Sequence, residues 1–310
     1  MSAPLAASGS TSPGSTVPGS TSPGPTGLLP RLEWEAARAA HRAQVEPEID
    51  PARMENPVES FMWTYYSYRP RELRRYHPGA LATLEDAPEY LERRGYGARG
   101  DGVGVSEAFV AARRSTLEFV LGLLEATASR SPQFGCFGMH EWAMVYQLSN
   151  EEIRHSKFPL RIGGAATNAL VEELGVRCTH YDAFRFFTAP AVPLNAIHPV
   201  REDQPKNEQP GCIHANMDLY KWAYKLAPII PSSMVLAYFR NARDLRKVDM
   251  QASPYDLADI GYKPILMETT EGRAEYARVQ RDLANQTAPL RAELATYIRR
   301  VLETFTSSAQ

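Results

Sequence analysis

Residues 106–128 read SEAFVAARRSTLEFVLGLLEATA. Apolar residues return here every three or four positions, which is the period of a helix with one buried face. They are Phe109, Val110, Leu117, Val120, Leu121 and Leu124. The stretch therefore predicts a long amphipathic helix, and most of the chain shows similar helical patterns.

Helical patterns also cover residues 32–45, 138–148, 167–174, 212–226 and 232–249. A last helix begins near Thr270, and Pro289 should kink or split it, because proline removes one backbone donor and clashes with the preceding turn. Strand signals are few: residues 176–187 alternate best, and residues 265–269 are weaker. We therefore predict a mainly α fold, a single helical domain over residues 31–310 with at most a small β-hairpin or sheet.

The N-terminal segment has a different composition. Residues 1–30 carry no charge, and the unit Gly-Ser-Thr-x-Pro begins at Gly9, Gly14 and Gly19. Such a segment buries too little apolar surface to offset the entropy of ordering it. We predict a disordered tail, and the lack of a basic start followed by an apolar run argues against a secretory signal.

The overall charge limits the partners. The 310 residues contain 34 Lys+Arg and 36 Asp+Glu, a formal charge of −2, which excludes a strongly basic DNA binder but leaves room for a local basic groove. No apolar run reaches the ~18–20 residues of a membrane helix, so no membrane partner is expected. The three cysteines cannot pair completely, which favours a reducing cytoplasm.

Three short segments concentrate residues that can do chemistry: 135–142 (GCFGMHEW), 178–185 (CTHYDAFR) and 211–222 (GCIHANMDLYKW). Each contains a cysteine within four residues of a histidine, and a carboxylate follows each of these histidines within four residues. The chain has only three cysteines and seven histidines, so this clustering predicts that the segments converge on one pocket.

Spacing supports a shared pocket. On a helix, His214 and Asp218 lie one above the other, and Cys136 and His140 have the same spacing. If residues 178–184 are extended, alternate side chains share one face. Those side chains are Cys178, His180 and Asp182.

The candidate catalytic residues are His140, Glu141, His180, Asp182, His214 and Asp218. The candidate substrate-binding residues are Trp142, Tyr146, Tyr181, Arg185, Lys221 and Trp222. One interpretation is metal-free acid–base or electrostatic catalysis in an aromatic pocket, which would hold a flat or cationic ligand and need no cofactor. The plain alternative is a set of buried thiols beside hydrogen-bonded core histidines.

A metal site is the other interpretation. His140, His180, His214 and Asp218 would suit zinc or non-haem iron, with open positions for water or substrate. The chain has no HExxH, CxxC or HxH spacing to support it.

A separate basic and aromatic patch lies at residues 68–77. Its members are Tyr68, Arg69, Arg71, Arg74, Arg75, Tyr76 and His77. This patch predicts either a contact with phosphate or a solvated helix face.

Five stretches resemble a family of actinobacterial proteins usually labelled 3-methyladenine DNA glycosylase. They are NPVESFMWTYYSYRP (56–70), GCFGMHEWAMVY (135–146), CTHYDAFRFFTAPAVPLN (178–195), EQPGCIHANMDLYKWAYKL (208–226) and DMQASPYDLADIGY (249–262). The resemblance runs from about residue 32 to about residue 289. It implies a DNA-repair enzyme that releases alkylated adenine from damaged DNA.

Under that resemblance, an aromatic pocket would hold the flipped base and a carboxylate would stabilise an oxocarbenium-like transition state. Asp182 or Asp218 would be the carboxylate, and Trp142, Tyr181 and Trp222 would hold the base. Two alternatives stay open: a zinc- or iron-dependent hydrolase or oxygenase acting on a small molecule, and a small-molecule binding protein without turnover.

Overall fold

A computed structural model of the chain describes residue 24 and residues 26–149, 151–153 and 157–307. It confirms the mainly α fold with a small sheet. The helices are α1 (Arg31–Val45), α2 (Pro51–Glu55), α3 (Phe61–Thr64), α4 (Pro70–Leu73), α5 (Glu107–Ala111), α6 (Arg114–Ala128), α7 (Met139–Ala143), α8 (Gly163–Leu174), α9 (Tyr181–Phe184), α10 (Gln204–Asn207), α11 (Ile213–Lys225), α12 (Ser232–Gln251) and α13 (Thr270–Ser307).

Two expectations about long helices need correction. The amphipathic stretch 106–128 is divided between α5 and α6, because Arg113 leaves helical geometry with φ −109° and ψ 2°. The C-terminal helix is not split, since α13 is helical on both sides of Pro289. Its packing against α6 and α11 supports it through the proline.

The sheet contains β1 (Gly27–Leu29), β2 (Ala82–Leu84), β3 (Tyr96–Arg99) and β4 (Gly102–Val105), in the order β1-β2-β4-β3. β1 is parallel to β2, with Leu28 opposite Thr83, and the other pairs are antiparallel. A Cβ on Gly104 would lie 2.9 Å from the Thr83 methyl, so the close approach of β2 and β4 depends on this glycine. These strands are three or four residues long, and several of their residues are glycines. They are therefore too short to show the alternation of apolar and polar residues that predicts a strand.

The predicted strands are wrong. Residues 176–187 contribute one isolated bridge, Val176 to Asn195, and then enter α9. Residues 265–269 form no strand either. Their apolar side chains point into a second core cluster, which explains why both stretches look strand-like.

The tail prediction is wrong at its end, because Gly27–Leu29 pairs with β2 instead of being disordered. Residues 1–23 and 25 lie outside the described residues. The division into a tail and one domain otherwise stays a prediction. Within the described part of the chain, no helix is both long enough and apolar enough to cross a membrane.

Helices α11 and α12 form the centre of the molecule. They are joined by residues 226–231, and they run in opposite directions, since His214 near the start of α11 faces Asp249 near the end of α12. Large buried side chains line the seam, among them Tyr220 and Phe239, whose rings are 5.3 Å apart. The pair therefore fixes the relative positions of the polar residues that it carries.

One buried histidine outside this pair makes stability depend on pH. Burial, together with the charges of Arg93, Arg75 and His41, lowers the pKa of His77 to about 3. Its Nδ1 lies 2.9 Å from the Tyr96 hydroxyl. In the unfolded chain this imidazole takes up a proton near the ordinary histidine pKa of 6.5, so acid favours the unfolded state.

We predict that lowering the pH from about 7 to about 5.5 reduces the free energy of unfolding by roughly 1 kcal/mol through His77 alone. His77→Gln should flatten this part of the pH dependence in urea unfolding. His198→Gln, which removes an exposed imidazole, should not. An equal slope in the parent protein and in His77→Gln would contradict the prediction.

Candidate functional site

The three histidine segments meet in space, as predicted. The ring centroids of His140 and His214 are 4.5 Å apart, and those of His180 and His214 are 5.5 Å apart. His214 lies on α11, His140 lies on α7, and His180 directly precedes α9. Three separate parts of the chain thus supply imidazoles to one buried region.

A sharp turn brings α7 into this region. Phe137 and Gly138 both have left-handed backbone, with φ values of 49° and 68°. A non-glycine residue adopts this conformation at some energetic cost, so Phe137 marks a constrained position. The turn starts α7 so that both His140 and Glu141 are buried.

Four residues form what we call the first donor group: His140, Glu141, His214 and Asp249, each offering one ligand atom within 4.8 Å of the others. His140 Nε2 lies 2.8 Å from Asp249 Oδ1, and His214 Nε2 lies 3.9 Å from Asp249 Oδ2. Arg246 donates to Glu141 at 2.6 Å and to Asp249 at 2.8 Å. The guanidinium therefore holds both carboxylates in place.

The second donor group consists of His180, Glu208 and Asp218. His180 Nε2 lies 3.1 Å from Asp218 Oδ2 and 3.4 Å from Glu208 Oε1. Lys221 contacts Asp218 and donates to Asp182 at 2.7 Å. The helical spacing of His214, Asp218 and Lys221 thus places one face of α11 against both donor groups.

The two groups contain more buried negative charge than positive charge. Among the described residues, four carboxylates of the two groups are at most 5% exposed, and the three cations near them, Arg246, Lys221 and Arg291, are at most 7% exposed. Those carboxylates are Glu141, Glu208, Asp218 and Asp249. Buried charges are costly unless they are balanced, so protons or a bound cation must offset the excess.

The ionisation of the site reflects this imbalance. Burial favours the neutral form of His140, but the adjacent Asp249 carboxylate outweighs it and raises the pKa of that imidazole. Burial lowers the pKa of His214, and the nearby His140 lowers it further. Burial raises the pKa of Glu141 and of Glu208. Imidazole and carboxyl groups are therefore held in unequal protonation states a few ångströms apart.

A cavity of about 650 Å³ opens beside the first donor group. Glu141, His214 and Arg246 line it, and so does Asp182, whose side chain is 25% exposed. Its aromatic walls are Phe61, Tyr65, Phe158, Phe186 and Tyr255. This volume is in the range of small-molecule sites, so the donor group has access to a ligand.

The cysteines lie near the same histidines. All three line a much smaller cavity together with His140 and His214, and Cys136 Sγ is 3.6 Å from His140 Nδ1. Burial raises the pKa of Cys178 and of Cys212. These two thiols are therefore protonated and poor nucleophiles.

The structure does not place Trp142 or Tyr146 in the cavity. The Trp142 indole N–H donates to Ala252 O at 2.9 Å within a separate core cluster. The Tyr146 hydroxyl donates to Glu172 at 2.7 Å. Both residues lie on faces of the 138–148 segment other than the one that carries His140.

Three further predicted binding residues lie at the margin. Trp222 lies about 80° around the α11 axis from His214, so its side chain points away from the cavity. It packs edge-on against Phe119, with 5.6 Å between the ring centroids. Arg185 is exposed and pairs with Asp182 at 3.3 Å, and Tyr181 is half-buried without lining the cavity. Lys221 is the exception among the predicted binding residues, since it contacts two carboxylates of the site.

Sequence reasoning missed Asp249, Arg246 and Glu208. Asp249 and Glu208 are the first residues of two stretches that carry the family resemblance, so that signal was present in the chain. Arg246 precedes Asp249 by three residues on α12, which puts both on one face. Asp249 and Arg246 lie far from any cysteine in the sequence, and Glu208, four residues before Cys212, precedes His214 instead of following a histidine. The pattern of cysteine, histidine and following carboxylate that pointed to the other site residues therefore does not include them.

No known protein family, curated protein or solved structure matches the chain. The physical chemistry of this site is therefore the basis for a functional proposal.

The buried lysine of the site allows a matched stability test. We predict that Lys221→Met lowers the free energy of unfolding by about 3–5 kcal/mol, because it leaves Asp218 buried without its cation. Lys206→Met removes the same kind of i,i+3 lysine–aspartate pair, but its lysine side chain is 79% exposed, so the change should leave the free energy of unfolding almost unaltered. Urea unfolding measures both. Equal costs for the two variants would show that the buried charges are not coupled as described.

Proposed function

We propose that the protein is a metal-dependent enzyme that acts on a small molecule held in the 650 Å³ cavity. One observation carries the proposal: Glu141 and His214 belong to the first donor group and also line the cavity. A metal ion held there would face the substrate directly.

The donor geometry suits a metal. With metal–ligand bonds of ~2.0–2.1 Å, neighbouring donors lie about 2.9 Å apart in an octahedral site and about 3.3 Å apart in a tetrahedral one. The separations of 2.8, 3.1 and 3.4 Å around His140 and His180 fall in or next to that range, whereas the 3.9 Å between His214 Nε2 and Asp249 Oδ2 is longer. His180 Nε2 can give a proton to only one of its two carboxylates, whereas a metal would satisfy both.

The charge balance points the same way. Among the described residues, one more buried carboxylate than buried cation surrounds the histidines, and a bound cation would offset this excess. His180 Nδ1 and His214 Nδ1 have no hydrogen-bond partner within the described residues, so the protein does not fix the tautomer of either imidazole from its second nitrogen. Protonation of Glu141, Glu208 or His140 is the competing way to reach neutrality.

The identity of the metal decides the reaction class. Two imidazoles with a carboxylate suit zinc, which activates water for hydrolysis, and also suit non-haem iron, which activates oxygen. Glu141 faces the cavity beside Arg246 and is placed to hold a proton taken from a bound water. Zinc in the purified protein would indicate a hydrolase, and iron an oxygenase.

We predict about one or two equivalents of zinc or iron per chain, measured by plasma mass spectrometry after equilibration with each metal. His214→Gln should lower the affinity of the first donor group for the metal ion by at least about 10-fold. His198→Gln changes an exposed histidine away from both groups and is the matched control. Circular dichroism checks that the variants are folded. Substoichiometric metal in the folded parent protein would refute the proposal.

A DNA N-glycosylase that releases alkylated adenine is a second candidate. The observation in its favour is the pairing of aromatic walls, including Phe61 and Tyr65, with the Asp182 and Glu141 carboxylates in a cavity large enough for a purine. Such carboxylates would stabilise both a cationic base and an oxocarbenium-like transition state.

The test of this candidate is the release of free 3-methyladenine from methylated duplex DNA. Asp182→Asn should reduce the release by at least about 100-fold if this carboxylate stabilises the transition state. Asp203→Asn is the control, because Asp203 forms an ion pair with the exposed Lys206. No release by the folded protein at high concentration would remove the candidate.

A further inference from the structure

A second cavity, of about 690 Å³, lies at the opposite end of α11 from His214. Residues after α4, before β3, before α6 and at the end of α11 enclose it. Lys225 and His214 are eleven residues apart on α11, which is about 16 Å along the helix axis. This cavity is therefore separate from the candidate metal centre, and a ligand bound in it would be independent of the proposed function.

Five cationic side chains line this cavity: Arg75, Arg93, Arg94, Arg113 and Lys225. We call it the basic groove. Only two carboxylates line it, and the Glu72 carboxylate is already used to cap α4, where it accepts the Arg69 backbone N–H at 2.8 Å. The basic groove thus has an excess of three positive charges.

None of the five cations forms an ion pair with another described residue. Arg93 lies 3.8 Å from the centre of the Tyr90 ring, and Arg113 donates to Lys225 O at 3.4 Å. The neighbouring Arg74, by contrast, pairs with Glu46 at 2.9 Å. No carboxylate among the described residues therefore lies within ion-pair distance of the five cations of the basic groove.

Two residues that line the basic groove, Lys225 and His77, are affected by nearby cations. Burial lowers the pKa of Lys225, and the nearby Lys221 lowers it further. Arg93 and Arg75 both act on His77, which also lines the basic groove. Cations gathered in one concave surface repel each other and raise the local concentration of anions. A bound polyanion would remove this repulsion.

The groove also offers flat aromatic surface. The Tyr68 and Tyr224 rings stack on each other at 5.1 Å with an interplanar angle of 25°, and both line the cavity. Aromatic faces of this kind bind planar ring systems. Phe109 adds a third apolar wall.

We propose that the basic groove binds a small molecule that carries two or more phosphate groups and a planar ring, as a nucleoside diphosphate does. The guanidinium groups of Arg75 and Arg94 would contact the phosphates, since neither has another partner among the described side chains. Arginine is well suited to this because its planar donors match phosphate oxygens. The limited size of the basic groove favours a small ligand over a nucleic acid, which would need basic surface well beyond one cavity.

The test is calorimetric titration of the full chain with ADP and, separately, with pyrophosphate. We expect both to bind, ADP more tightly, and we expect added salt to weaken both. Arg75→Gln combined with Arg94→Gln should weaken ADP binding by at least about 10-fold. Both side chains are exposed, so the change should not affect folding or metal content.

Arg278→Gln is the matched control, an exposed arginine on α13 outside the groove, and it should change the affinity less than about 2-fold. The absence of binding by either ligand would overturn the inference. So would an affinity that the double variant leaves unchanged. An oligothymidine that binds when ADP does not, with affinity rising with its length, would replace the small ligand with a nucleic acid.

Discussion

Charge balance at the seam between α11 and α12 is the constraint on which the site depends. Among the described residues, four nearly inaccessible carboxylates lie close to three buried cations, with three imidazoles between them. Such an arrangement is unfavourable in an apolar interior unless protons or a metal ion complete it. The fold thus maintains a polar centre that packing alone would not favour, which is typical of functional sites.

The surrounding structure serves to hold that centre. The aromatic seam of α11 and α12 fixes His214, Asp218, Arg246 and Asp249 on rigid helices. Loops and short helices bring the remaining groups to them, through the left-handed turn at Phe137 in one case. The cavity then gives one side of the polar centre access to solvent and ligands. A rigid pair of helices with donors delivered from loops combines precise placement with an accessible face.

Much of the fold was predictable, because long helices carry a strong periodic signal. Residues 212–226 and 232–249 became α11 and α12 almost as expected. The strands were not predictable, since Tyr96–Arg99 and Gly102–Val105 are short and rich in glycine. The prediction that Pro289 could split the last helix was wrong, because tertiary packing keeps α13 helical on both sides of the proline.

The site was predictable in part. The convergence of the three histidines followed from the rarity of cysteine and histidine, and the structure confirms it. That reasoning did not select Asp249 or Glu208, since Asp249 has no cysteine or histidine near it in the sequence and Glu208 precedes Cys212 and His214 instead of following them. Trp142 and Trp222 are aromatic residues within the histidine segments, which is why they were predicted to bind a ligand, but helix rotation directs both elsewhere. Proximity in sequence identified the region, and only the packing of the helices identified the complete set of candidate ligands.

The most direct measurement of the central claim is a crystal structure of the purified protein with anomalous diffraction recorded at the zinc and iron absorption edges. The account predicts a strong anomalous peak about 2.0–2.2 Å from His214 Nε2 and from an Asp249 carboxylate oxygen, next to the cavity. A map with no anomalous peak in either donor group, and with His140 hydrogen-bonded directly to Asp249, would show that protons alone balance the buried charge and would contradict the account.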